Sequence, residues 1–195
     1  TTLFALLQNL YPLTAGKITI GSYEVSHIDV QSLRSFVGIV PQQVDLFSGS
    51  IIENIALGDN FPNLQRVYDL CKALGITAFV EKLPYGFETQ VGENGAQLSG
   101  GQKQRTAIAS AVVSDRTVLI FDEPTSGLDF LHMQATATEL KRLAARGCTV
   151  LVVTHDVEFI MSCCTFIVEM QNGTIADSYP LSGNVQKLID RFCST

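Results

Sequence analysis

Apolar residues in this chain fall into short, sharply bounded groups, and their spacing predicts the elements one by one. Residues 17–25 (Lys-Ile-Thr-Ile-Gly-Ser-Tyr-Glu-Val) alternate apolar and polar around a Gly-Ser turn, the pattern of a β-hairpin. Asp29 stands where an N-cap is needed for a short helix over residues 30–35, and residues 37–40 read as a strand stopped by Pro41. Residues 117–121 and 149–154 carry continuous apolar runs of strand length, the texture of parallel strands buried on both faces. Between them Met133, Ala137, Leu140 and Ala144 share one face of a helix over about 131–146, ended by Gly147. Strands over about 165–170 and 174–178 flank the turn Asn172-Gly173, and Val185, Leu188, Ile189 and Phe192 mark a terminal helix.

From Val44 to about Leu98 the texture changes. Short helical stretches, such as residues 64–74 with Leu64, Val67, Leu70, Cys71 and Leu74 in register, alternate with Gly- and Pro-containing loops. The predicted architecture is α/β: a mostly parallel sheet, a small antiparallel part, and an α-helical lobe inserted over about 44–113.

The length of 195 residues fits one domain with a substantial core. A hydrophobic fraction of 46% raises the question of a membrane span. The longest apolar runs are of strand length, far short of the ~20 residues needed to cross a bilayer. No signal peptide or transmembrane segment is legible, so any membrane link runs through a partner or through chain not present here. Thirteen basic against 19 acidic residues leave a net charge of −6, which argues against broad nucleic-acid binding. The five cysteines include no C-x-x-C pair and read as reduced, buried thiols of a cytosolic protein. Cys163-Cys164, placed on a strand, would point to opposite faces, which favours a packing role over a redox or metal role.

Two stretches carry most of the chemistry. In Leu98-Ser99-Gly100-Gly101-Gln102-Lys103-Gln104-Arg105 a serine and two glycines open a helix, where backbone N–H groups and the positive dipole end can hold a phosphate. The same residues also suit a plain helix cap. In Thr117-Val118-Leu119-Ile120-Phe121-Asp122-Glu123-Pro124 a buried strand ends in two carboxylates, one able to serve a magnesium ion and the next to polarise a water. Alone, that pair is also what a solvated loop start looks like. Their place is telling: open α/β sheets bind ligands where parallel strands end.

In this order the two stretches resemble the signature and Walker B motifs of ABC-type ATPases, and the likeness extends over the whole chain. It implies a P-loop NTPase-like sheet, with a RecA-like α/β core outside the lobe, in the nucleotide-binding domain of an ATP-driven transporter. Pro124-Thr125-Ser126-Gly127-Leu128-Asp129 resembles the D-loop, with Asp129 reaching a second subunit. His155, in Val-Val-Thr-His-Asp at the next strand end, resembles the switch histidine that contacts the γ-phosphate, and Gln42 resembles the Q-loop glutamine that ligates magnesium. The resemblance thus implies Mg2+ at Asp122 and Gln42, water activation by Glu123, and ATP contacts from Gln42, His155 and Asp129. Ser99, Gly100, Gly101 and Gln102 would contact ATP held by another domain in a head-to-tail dimer. The remaining histidines, His27 and His132, lack such a context and read as surface residues.

The same resemblance implies transmembrane transport domains as partners, no nucleic acid, and a place on the cytoplasmic face of a membrane. Residues 45–55 and Thr89-Gln90-Val91-Gly92-Glu93 look export-type, although exporters usually carry glutamate at the position of Gln90 and arginine at that of Ser110. From Asp122 onward the chain looks closer to importers or energy-coupling-factor ATPases, as divergence or recombination would leave it. No G-x-x-x-x-G-K-[ST] occurs, and Gly16-Lys17 is succeeded by Ile18 inside the hairpin. Thr1-Thr2-Leu3 matches the residues immediately C-terminal to the Walker A lysine in this family. Thr1 would then be the magnesium-ligating hydroxyl, Thr2 a nucleotide-binding neighbour, and residues 4–10 the helix leaving the phosphate loop. The expectation is a fragment cut just after that lysine, inactive by itself. The alternatives are a soluble ABC ATPase of the DNA-repair or translation type and a remnant deficient in nucleotide binding.

Overall fold

The structure, a computed structural model, describes residues 2–57 and 63–193. Thr1 lies outside them. The chain opens with α1 (Thr2–Leu7), the hairpin strands β1 (Thr19–Ile20) and β2 (Tyr23–Glu24), α2 (Val30–Phe36) and β3 (Val37–Val40). A helical stretch comes next: α3 (Ile51–Ile55), α4 (Leu64–Ala73), α5 (Thr77–Val80) and α6 (Gly100–Val113). Then come β4 (Val118–Asp122), α7 (Phe130–Ala145), β5 (Thr149–Val153), α8 (Val157–Cys163), β6 (Phe166–Gln171), β7 (Thr174–Pro180) and α9 (Val185–Cys193).

Local side-chain chemistry places most helix starts. Asp29, Asn63, Ser99, Asp129 and Asp156 each accept a backbone N–H of the first helical turn. Ser50 and Glu53 close a reciprocal capping box on α3, as Ser99 and Gln102 do on α6. At the other end of α7, Gly147 takes φ 90°, a conformation open to glycine at little cost. Asn172 and Gly173 at φ 49° and 78° turn β6 into β7.

Strands β3, β4 and β5 form a parallel sheet with β4 in the middle, while β1–β2 and β6–β7 are separate antiparallel pairs. The two faces of β4 serve two cores. Leu119 and Phe121 join the large apolar cluster that runs through α3–α7, including Ile51, Ile55, Leu74, Ile76 and Ile108. Ile120 packs with Phe4, Val25, Leu33 and Val37 on the other side. The parallel sheet, the small antiparallel pairs and the inserted helices match the predicted architecture.

Two expectations from the apolar pattern are corrected. β4 is buried on both faces, but β5 is not: Val150 and Val152 pack against the large core, whereas Leu151 and Val153 on the other face are 41% and 43% exposed. Cys163 and Cys164 lie at the end of α8, a helix the short run 157–163 did not reveal, rather than on a strand. Only Cys71 of the described cysteines is fully buried, and burial pushes its thiol up to about 12; Cys148, Cys163 and Cys164 are half-buried.

Candidate functional site at the strand ends

The parallel register carries Val40, Phe121 and Val152 to the same level. The chain therefore delivers Gln42, Asp122-Glu123 and Thr154-His155 to one edge of the sheet, from three neighbouring strands. Gln42 is exposed there, and Asp122, the last residue of β4, is buried.

Glu123 takes φ 48°, a left-handed conformation that costs a non-glycine residue about 1–3 kcal/mol. Its N–H still bonds the Val153 carbonyl at 2.8 Å, so the ladder to β5 runs one residue past the strand while the chain turns away. The turn aims the carboxylate at the neighbouring loop. Oε1 lies 2.8 Å from His155 Nδ1, and Oε2 accepts the Thr154 hydroxyl at 3.2 Å. Thr154 Oγ1 in turn accepts the Asp156 N–H at 3.1 Å, which fixes the hydroxyl between strand end and α8. The Glu123 side chain is only 17% exposed and that of His155 86%. A sheltered carboxylate thus holds an outward-facing imidazole. The hydrogen bond to Glu123, then its charge, raises the proton affinity of His155.

A second group assembles at the start of α6. Ser99 Oγ accepts the Gln102 N–H at 3.3 Å, and Gln102 Oε1 accepts the Ser99 N–H at 2.8 Å. A Cβ on Gly100 would meet nothing within 4 Å, whereas one on Gly101 would collide with the Gly127 carbonyl oxygen. The two glycines therefore answer different demands. Gly101 lets the helix start press on the loop after β4; Gly100 leaves an open face at the helix N-terminus. The approach to Gly127 requires glycine at position 101 whatever else meets that backbone.

That loop leads to Asp129, whose Oδ1 accepts the His132 N–H at 2.9 Å and lies 2.7 Å from His132 Nδ1. These contacts, the backbone N–H foremost, hold the Asp129 carboxyl below its usual range. One turn into α6, Arg105 donates to the carbonyls of Gly101 (3.3 Å), Leu74 (3.4 Å) and Gly75 (3.0 Å), with its guanidinium over the Phe79 ring. His132 closes the other side of Gly75: φ is +67° there, and a Cβ would fall 2.6 Å from the imidazole Nε2. His132, read from sequence as a surface residue, is half-buried in this network.

Thr154, Arg105 and His132 are the residues the sequence did not single out. Thr154 adjoins His155, but the aim of its hydroxyl across two strands is a tertiary fact. Arg105 and Gly75 are 30 residues apart, beyond any local pattern.

Thr2, at the start of α1, is exposed, and Phe4 anchors that helix to Leu33, Val37 and Ile120. A cleft of about 330 Å³ lies between the end of β3 and α6, lined among others by Pro41, Phe47, Asn54, Ser110 and Arg116. Among the described residues no group of three or more His, Cys, Asp or Glu is arranged to hold a metal by itself. The site instead offers oxygens, the Asp122 and Glu123 carboxylates and the Gln42 amide, donors of the hard type suited to magnesium shared with phosphates. No helix among the described residues is long and apolar enough to cross a membrane.

The chain has relatives among known proteins. Residues 1–126 match the family model described as ABC transporter. The chain is 42% identical over 179 residues to human ATP-binding cassette sub-family B member 5, covering 91% of this chain and 14% of that protein. It is 33% identical over 196 residues to ABC transporter B family member 2 of Dictyostelium discoideum, covering 98% of this chain and 14% of that protein. With the ATP-dependent lipid A-core flippase of Saccharophagus degradans it shares 37% identity over 194 residues, 98% of this chain and 32% of that one. A structure of a bacterial Atm1-family ABC exporter with ATP bound superposes with a TM-score of 0.85 at 33% identity, covering 97% of this chain and 34% of that chain. Likeness to exporters thus runs through the second half as well as the first, and the chain spans a minor part of each of these relatives.

Proposed function

Because this chain belongs to the ABC transporter family, we propose that it is the ATP-hydrolysing domain of an export-type transporter, working on the cytoplasmic face of a membrane. The observation that carries the reading is the Glu123–His155 pair, 2.8 Å apart and steadied by Thr154 where three parallel strands end. Residues 44–113 act as the helical signature lobe, and the remainder as a RecA-like core.

Glu123 accepts the proton of the water that attacks the γ-phosphate, its carboxylate aimed by Thr154 and His155. His155 turns its outer nitrogen to the γ-phosphate, so that charge appearing there is felt directly by Glu123. Asp122, Gln42 and the hydroxyl of Thr1 supply oxygens for Mg2+, which when bound neutralises phosphate charge. Ser99, Gln102 and the open backbone at Gly100, with Gly101 behind it, present a phosphate-binding helix start to ATP on a second ABC ATPase domain, arranged head to tail. Asp129 reaches across the same junction, and Thr2 lies beside the nucleotide of its own chain. The cleft beside Phe47 and Ser110 receives a transmembrane transport domain.

The 195 residues hold no G-x-x-x-x-G-K-[ST] loop, whose N–H groups and lysine would make the main phosphate contacts. We therefore expect this chain by itself to bind Mg-ATP poorly. The decisive experiment fuses the chain behind the phosphate-loop segment of a B-family relative and measures ATP binding and phosphate release. Turnover by the fusion, lost in Glu123→Gln while ATP still binds, supports the reading. Equal turnover in both, or saturable micromolar ATP binding by the unfused chain, overturns it.

A further inference from the structure

On α3 and α6 the residue three places after the cap, Glu53 or Gln102, accepts the backbone N–H of that cap. On α7 the same place holds His132, and its Nδ1 lies 2.7 Å from Oδ1 of the cap Asp129. Ionised, the Asp129 carboxyl can only accept, so Nδ1 donates. The imidazole therefore holds the side chain of the cap, where Glu53 and Gln102 hold main chain.

Oδ1 of Asp129 takes both the His132 N–H and the imidazole, while Oδ2 makes no hydrogen bond among the described residues. The Asp129 side chain is 63% exposed. His132 is half-buried, and its ring backs onto Gly75 in the turn between α4 and α5. That turn is itself fastened to α6, since Arg105 donates to the carbonyls of Leu74 and Gly75. Packing from behind fixes the ring, which makes Nδ1 a directed donor and not a mobile one.

We infer that His132 is a positioning residue for the hydrolysis proposed above: it pins Oδ1 of Asp129 so that Oδ2 is presented to the facing domain. The inference rests on that functional reading, in which Asp129 reaches across a head-to-tail junction. His132 touches no reacting atom and acts through Asp129 alone.

The test compares His132→Asn, His132→Gln and His132→Leu. The amide nitrogen of asparagine is as many bonds from the backbone as Nδ1, and that of glutamine is one bond further out. Asparagine and glutamine are both polar, so their contrast holds even where His132→Leu folds poorly. In the unfused 195-residue chain, carbon NMR should show the Asp129 carboxyl titrating near its wild-type value in His132→Asn and higher in the other two. In the phosphate-loop fusion, kcat should fall about tenfold in His132→Gln and His132→Leu, with KM for ATP within about twofold, and His132→Asn should restore most of the loss. Adding His132→Leu to Asp129→Ala should cost nothing more, because the two residues act as one unit. The inference is overturned, and the functional reading left standing, by any of three results: one Asp129 titration common to the three variants, no difference in turnover between His132→Asn and His132→Gln, or an equal loss from His132→Leu with and without the Asp129 side chain. A wild-type fusion without turnover fails that reading and this inference with it.

Discussion

Gly101 lies so close to the Gly127 carbonyl that any side chain at Gly101 would strike backbone. The start of α6 and the loop after β4 are therefore seated on each other. Gly101→Ala should cost about 1–3 kcal/mol of stability, since the obstacle is main chain and not a flexible side-chain end. Gly100→Ala, facing open space, should leave stability within about 0.5 kcal/mol. Urea denaturation of the two variants checks the contrast, and equal losses would contradict it.

The Glu123–His155 contact has a pH signature. His155 holds its proton above the ordinary value near 6.5 because of Glu123. A raised value means that the stability gained from this contact is complete below about that ordinary value and is lost as pH rises through the folded one. NMR titration should place His155 above its ordinary range in the wild type and return it to that range in Glu123→Gln. An unchanged His155 titration in the variant would show that the two side chains do not meet in solution.

Arg66 ties α4 to the end of α6 through Asp115, with Nη1 and Nη2 on the two carboxylate oxygens at 2.7 and 2.6 Å. The bond from Arg66 holds the Asp115 carboxyl below its ordinary value near 3.8. Its contribution is present above that value and fades as pH falls through the lower folded one. Both partners are partly exposed, so Asp115→Asn should cost no more than about 1 kcal/mol at neutral pH. The gap between variant and wild type, tracked by thermal melts, should narrow below about pH 4.

How much of this was legible depended on the range of the interaction. The strands at 37–40 and 118–122 stood out because each is a compact apolar run with a sharp stop, and Asn172-Gly173 declared its turn through backbone preference alone. α8 did not stand out: Val157, Phe159, Ile160 and Met161 crowd together without a helical stripe, and the adjacent cysteines read as strand. The candidate site was legible as a set of residues, because Asp122, Glu123 and His155 each sit at a strand end. What holds them was not, since Thr154 reaches Glu123 across a strand pair and Arg105 reaches Gly75 across the helical stretch.

Leu151, Val153, Phe166, Val168 and Met170 form exposed apolar rows on β5 and β6. Exposed apolar area of that kind promotes self-association and dye binding. The 195-residue chain should enhance the fluorescence of an apolar dye and show concentration-dependent light scattering. Val168→Lys combined with Met170→Lys should reduce both without lowering the melting temperature by more than a few degrees. Unchanged scattering would locate the sticky surface elsewhere.

The β3–β4 pairing joins Val37 to Val118, positions 81 residues apart (118 − 37). Between the two strands lies a long stretch of helix and loop, so the sheet cannot zip from a local turn and must wait for that excursion of chain to close. Helices α3 to α6 pack on one another in a single apolar cluster, whose formation draws the two strands within reach. Folding should therefore proceed from the insertion towards the sheet, and a core substitution such as Ile108→Val should slow folding more than it speeds unfolding. The excursion that separates the strands in sequence is also what brings them together in time.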